Sequence, residues 1–176
     1  MQSLPHGFTL LVRLTTFPVI SLFLMFSSLG MQAQGPRFAQ RQDRGLIEHE
    51  PISEASGIVA SRKNTDVVWI HNDSDQKNVV YAVSSHGKHL GVYVLDGIQN
   101  RDWEDIAIGP GPQEGQQYLY IGDIGDNRAR HDLKYIYRVP EPHVTADQTP
   151  RRVSLSDIET ITFRYPDGKR DAETLL

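Results

Sequence analysis

From Pro51 onward the apolar residues come in short runs rich in β-branched and aromatic side chains, each closed by a turn signal. The signals are Lys63-Asn64, Asn72-Asp73-Ser74-Asp75, His86-Gly87-Lys88, Gly109-Pro110-Gly111-Pro112 and Pro166-Asp167-Gly168. No window sustains a helical period for long, so the pattern predicts strands at short spacing and an all-β fold. The runs fall at 54–60, 67–73, 79–83 and 90–95, then at 102–108, 118–123, 135–139 and 160–165.

These runs overlay one another. Glu54-Ala-Ser-Gly-Ile58 aligns with Asp102-Trp-Glu-Asp-Ile106 and with Asp171-Ala-Glu-Thr-Leu175: an acid, a polar residue two places on, and a branched aliphatic two places after that. The run ending at Asp73 overlays the run ending at Asp123, and Val79-Val-Tyr81 overlays Tyr135-Ile-Tyr137. Leu90-Gly-Val-Tyr93 is answered more loosely by Thr160-Ile-Thr-Phe163. Four strands per unit at a period of about 45–70 residues predicts β-propeller blades rather than a sandwich. The expected domain is an incomplete β-propeller over 51–176, with blade 1 at about 51–97, blade 2 at about 100–166 and the opening strand of a third at 170–176. Propellers close with roughly four to eight blades, so two and a start read as a fragment of a longer ring.

The first 33 residues differ from all that follows. They carry no acid and one cation, Arg13, followed by an apolar stretch at 14–26 and then small and polar residues, the layout of a signal peptide. That stretch contains Thr15, Thr16 and Pro18 and is shorter than the roughly 20 residues of a spanning helix, so export with no stable membrane span after processing is expected. The expected destination is periplasmic or extracellular. Residues 34–50, rich in Gln and Arg, read as a flexible lead-in.

Composition narrows the chemistry. The 176 residues include no Cys, which removes disulfides, thiolate catalysis and Cys-ligated metals, and leaves oxygen or imidazole as ligands. A formal net charge of −4 with scattered cations gives no basic face for a phosphate backbone, so nucleic acid is not an expected partner.

In a propeller blade the start of the first strand and the end of the second share one rim. Glu54, Asp102, Glu104, Asp171 and Glu173 occupy first-strand starts; Asn72, Asp73, Asp123, Asp126 and Asn127 occupy second-strand ends. One channel mouth is thereby crowded with oxygens, and carboxylates so placed raise one another's pKa unless a cation stands among them. That cation is either a hard metal such as Ca²⁺, which takes six to eight oxygen ligands, or the flanking Arg101, Arg128 and Arg130. The metal set is Glu54, Asp102, Glu104, Asp123, Asp126, Asn127, Asp171 and Glu173, with Asn72, Asp73, Arg101 and Arg128 as ligand-binding residues. Taken singly, Asp and Asn beside Gly serve turns equally well, and only convergence makes a site. Glu104 and His71 are the candidate acid or base residues. No serine sits in a Gly-x-Ser-x-Gly elbow.

At Glu54-Ala-Ser-Gly-Ile-Val, Asn100-Arg-Asp-Trp-Glu-Asp-Ile-Ala and Gly122-Asp-Ile-Gly-Asp-Asn-Arg, the chain resembles a group of exported bacterial propeller proteins without firm biochemical assignment. The resemblance covers 52–176 and implies further blades after the Asp-Ala-Glu segment. More distantly the chain resembles phytase-like and gluconolactonase-like propellers, whose acids at the channel mouth hold calcium and assist hydrolysis. Two functions follow as expectations. One is a scaffold that binds a metal or a small-molecule or protein ligand. The other is a calcium-dependent hydrolase of phosphoesters or lactones.

Overall fold

The computed structural model describes residues 38–73 and 77–176. The signal-peptide reading of 1–33 and the Ser74-Asp75 part of the turn signal at 72–75 lie outside them. Contacts divide the chain into Met1–Gln40, of which only the coil 38–40 is described, and Arg41–Leu176, which holds every strand. Among the described residues there is no helix, and so none long and apolar enough to cross a membrane.

Nine strands form two sheets. The first contains β1 (Ala55–Ala60), β2 (Val67–Asn72), β3 (Val79–Ser84) and β4 (His89–Leu95) as an antiparallel meander. The second contains β5 (Trp103–Pro110), β6 (Gln117–Asp123), β7 (Lys134–Pro140) and β9 (Glu159–Phe163), again antiparallel throughout. Between β7 and β9 the chain leaves the second sheet and lays β8 (Arg151–Leu155) beside β4 in parallel, from Gly91↔Arg151 to Leu95↔Leu155. The first sheet therefore has five strands, one more than the repeat predicts. Arg151-Arg-Val-Ser-Leu155 is half polar and mostly exposed, so its apolar signal is faint, as an edge strand permits.

Residues 171–176 form no strand, contrary to the opening strand expected at 170–176. They have no ladder partner; the Leu175 backbone N–H donates instead to the Asp105 carboxylate at 2.8 Å.

The strand sequences follow from what each face meets. β2 and β3 read as near-continuous apolar runs because both faces are covered. On one face, Trp69, Val80, Ala82, Tyr93 and Leu95 meet Trp103, Ile106, Leu119, Ile121 and Tyr137 of the second sheet in one buried cluster. At roughly 1.5–3 kcal/mol for each large apolar side chain fully buried, this is the main force joining the sheets. On the other face, Ile70, Val79, Tyr81 and Val83 form a second cluster with Ile52 against it.

A buried carboxylate ties the sheets at the end away from the acids. Glu141, 1% exposed, accepts from the Trp69 indole at 3.0 Å, the Lys63 backbone N–H at 3.1 Å, the Asn64 amide at 3.3 Å and the Ser61 hydroxyl. Asn64 completes the tie, donating to the Pro142 carbonyl and accepting from the Val144 N–H. A carboxylate given this many donors is satisfied without a cation.

Candidate metal centre

Both first strands carry a β-bulge at the same point of the repeat. The register of β1 on β2 slips between Ala55 and Gly57, and that of β5 on β6 slips between Trp103 and Asp105. The unpaired residues are thus Ser56 and Glu104, the second polar position of the acid-x-polar-x-aliphatic motif. A bulge turns a side chain out of the regular alternation, which is how Glu104 departs from the up-down order of β5.

Glu104 is buried, 7% exposed, and stands at the junction of two carboxylate groups. One is Asp73, Asp102 and Glu104; the other is Glu104, Asp171 and Glu173; within each, one oxygen from every member lies within 4.8 Å of the others. Four stretches of chain supply these acids: the end of β2, the approach to β5, β5 itself and the segment 171–173. Three hydrogen bonds, two to backbone carbonyls and one to a carboxylate, position parts of this cluster independently of any ion. The Asp73 N–H donates to the Glu54 carbonyl at 3.0 Å, the Gly125 N–H to the Asp102 carbonyl at 3.2 Å and the Asp126 N–H to the Asp171 carboxylate at 2.6 Å.

Burial, the neighbouring Glu173 and the charges of Asp73 and Asp102 push the Glu104 carboxyl up to about 8. At neutral pH it therefore holds a proton where a cation would also relieve the repulsion. Gly125 keeps the space beside it open. A Cβ there would lie 2.2 Å from Glu104 Oε1 and 2.6 Å from Asp102 Oδ2, closer than any side chain could sit. A hard, oxygen-seeking cation such as Ca²⁺ fits a donor set of this composition.

Two further acids of the predicted set, Asp123 and Asp126, face cations of the chain itself. Asp123, 1% exposed, faces Arg101 Nε at 3.2 Å and accepts from the Tyr137 hydroxyl at 3.0 Å. The Arg101 contact is one of charge rather than an aligned hydrogen bond, since neither of its two atoms has a hydrogen-bond partner. Burial raises the Asp123 carboxyl, and Arg101 and Tyr137 oppose the rise. Burial also acts upward on Asp126, but it is outweighed by the Arg130 and His131 backbone N–H groups and by Lys134, which together hold the carboxyl down at about 2. Lys134 is fully buried and lies 3.2 Å from both Asp126 Oδ2 and the Gly125 carbonyl.

Glu54 is exposed and belongs to neither carboxylate group, although its carbonyl orients Asp73. Asn127 and Arg128 are exposed and line an open cavity of about 280 Å³ with Arg101, Asp102, Arg130 and His131. Asn72 is buried, and its amide donates to the Pro51 carbonyl at 2.7 Å. His71 is fully buried, with Nδ1 2.9 Å from the Asn72 carbonyl and its ring edge-on to Trp103. Burial lowers its pKa, which keeps it neutral. Its Nε2 faces the backbone at Gly57, where a Cβ would stand 2.3 Å away. A histidine so enclosed has a packing role at the β1–β5 contact.

Two buried charged residues, Lys134 at this end of the sheets and Glu141 at the other, have no signature in the sequence pattern, and Asn64 shows there only as part of a turn signal. Lys134 opens a strand, where lysine ordinarily reads as solvated, and Asn64 and Glu141 lie in connections.

The chain matches no protein-family model, no curated protein and no solved structure.

Proposed function

We propose that this chain is part of an exported β-propeller whose acid-rich mouth binds Ca²⁺, and that it serves as a metal- or ligand-binding module. The observation that carries the reading is the position of Glu104, buried and shared by two groups of carboxylates from distant parts of the chain. Three further features support it. Two antiparallel meanders lie face to face with their first strands β1 and β5 adjacent. The bulge recurs at Ser56 and Glu104. The third copy of the motif, 171–175, reaches β5 through Leu175 and Glu104 through Glu173. In this reading Asp73, Asp102, Glu104, Asp171 and Glu173 supply the ligands, while Asp123 and Asp126 brace the loops behind them.

Calorimetric titration of the full chain with Ca²⁺ tests the proposal. Wild type and Asp123→Asn are expected to bind with similar affinity, and Asp102→Asn and Glu104→Gln to bind at least about tenfold more weakly, because each removes one of the few charged ligands. No heat with wild type, or equal affinity in all four proteins, returns the acids to a role in turns.

Hydrolysis is the second reading, favoured by the placement of Glu104: buried among carboxylates, its carboxyl is raised to about 8, which suits it to general acid work at neutral pH. Turnover of a phosphate monoester or lactone that needs Ca²⁺ and is lost in Glu104→Gln would establish that second reading. A binding module gives no turnover under the same conditions.

A further inference from the structure

The far face of the first sheet is covered by residues 45–52, the end of the lead-in and the first two residues after it. The Glu48 N–H donates to the Gly87 carbonyl at 3.0 Å, and the Asn72 amide donates to the Pro51 carbonyl at 2.7 Å. Ile52 packs on the cluster of Ile70, Val79, Tyr81 and Val83. Gly87, at φ +89°, passes so close to residue 46 that a Cβ would lie 1.9 Å from the Leu46 carbonyl oxygen. Between these points the His49 ring stacks on His89 with centroids 3.7 Å apart and planes 11° from parallel, and it leans on the Tyr81 ring at 5.5 Å. The segment read from composition as a flexible lead-in is therefore docked over its last residues.

We propose that His49 and His89 form an acid-released latch that holds residues 45–52 on the far face of the first sheet. Two neutral imidazoles stack at this distance without penalty, whereas two imidazolium ions would repel. His89 Nε2 is buried with no hydrogen-bond partner, so a proton placed there would be a donor with no acceptor. A backbone hydrogen bond at Gly91 favours the protonated form of His89, but burial outweighs it. Tyr81 faces His49 from β3, Arg152 of β8 acts on that phenol, and Lys88 adjoins His89 in the hairpin. Glu48 and Glu50 flank His49 in the chain and are exposed.

The direction of the response follows. Burial lowers both imidazoles below 6.5, and His89 lowers His49 further. The released segment then takes up protons more readily than the docked one. Docking is at full strength above about pH 6.5 and weakens as the pH falls through that value and through the lowered ones. Release uncovers the apolar face around Tyr81 and Val83, giving an exported protein a surface exposed only in acid.

Amide hydrogen exchange of the full chain at pH 7.5 and 5.0, corrected for intrinsic rates, tests the latch. Protection at Glu48 and across 45–52 is expected to fall at least about tenfold at pH 5.0, while Leu119 and Ile121 in β6 keep theirs. The double variant His49→Phe/His89→Phe, which keeps a ring pair without the charge, is expected to change less than about threefold. If that variant lacks β6 protection at pH 7.5, His49→Gln/His89→Gln takes its place with the same expectation, since it too removes both titrating rings. Equal wild-type protection at both pH values, an equal fall in the variant, or loss of β6 protection at pH 5.0 would overturn the proposal.

Discussion

The Ser56 hydroxyl donates to the Glu104 carbonyl at 2.9 Å, joining the bulged residue of one sheet's first strand to the bulged residue of the other's. The bond runs between equivalent points of the repeat and fixes the backbone from which the Glu104 side chain departs. Ser56→Ala is expected to cost about 1 kcal/mol in urea unfolding, the usual worth of one such bond. It should also weaken Ca²⁺ binding modestly, because Glu104 loses a backbone support. A variant as stable as wild type would mean that the sheets are positioned without this contact.

Glu141 makes a larger prediction. Its removal leaves the Trp69 indole, the Asn64 amide, the Lys63 N–H and the Ser61 hydroxyl without their acceptor. Glu141→Ala should destabilise the chain by at least about 3 kcal/mol in chemical denaturation, with Glu141→Gln costing less because an acceptor oxygen remains. Equal costs for the two variants would argue that volume rather than hydrogen bonding matters at this position.

Asp126 sets the acid limit of the loop that follows β6. Its folded carboxyl stands near 2, below the ordinary 3.8, so the stability it contributes is present above pH 3.8 and is lost as the pH falls through about 2. Thermal melts between pH 5 and 2 should fall more steeply for wild type than for Asp126→Asn, which has no proton to take up. Parallel curves would contradict the assignment of Lys134 and the two backbone N–H groups as partners of the ionised form.

How much of this is legible before the structure depends on the range of the interaction. The all-β pattern and eight of the strand positions follow from local apolar runs and turn signals, because both sheets bury regular faces. The strand β8 is not legible: only Val153 and Leu155 mark it, and what makes it a strand is a partner 60 residues away, as in the pair Gly91↔Arg151. The repeated acid-x-polar-x-aliphatic start is visible, but the bulge it builds is not, since a bulge exists only in register with β2 or β6. Asp102, Asp123 and Asp126 look alike in sequence. In the fold Arg101 stands beside Asp123 and Lys134 beside Asp126, while Asp102 lies with Asp73 and Glu104, placements that spacing does not encode. Asp73, read as a ligand-binding residue, has its carboxylate beside Asp102 and Glu104 for the same reason.

The raised Glu104 carboxyl couples metal affinity to pH. Below about pH 8 a cation must displace its proton, so binding releases a proton, and apparent affinity should rise up to about tenfold per pH unit between pH 6 and 8, then level off. Calorimetry in two buffers of different ionisation enthalpy measures the protons released per ion. In the absence of metal the same shift works the other way: the stability linked to the protonated form is present below pH 4.5 and is lost as the pH rises through about 8. Affinity that does not change over this range would remove Glu104 from the ligand set.

The most direct test of the metal centre is a crystal structure of the full chain grown with Ca²⁺ and, in parallel, with Mn²⁺ as an anomalous marker. The account predicts one peak within about 2.6 Å of oxygens from at least three of Asp73, Asp102, Glu104, Asp171 and Glu173, with Asp126 still on Lys134. An ion bound elsewhere, or no ion among these carboxylates at millimolar Ca²⁺ above pH 8, would contradict it.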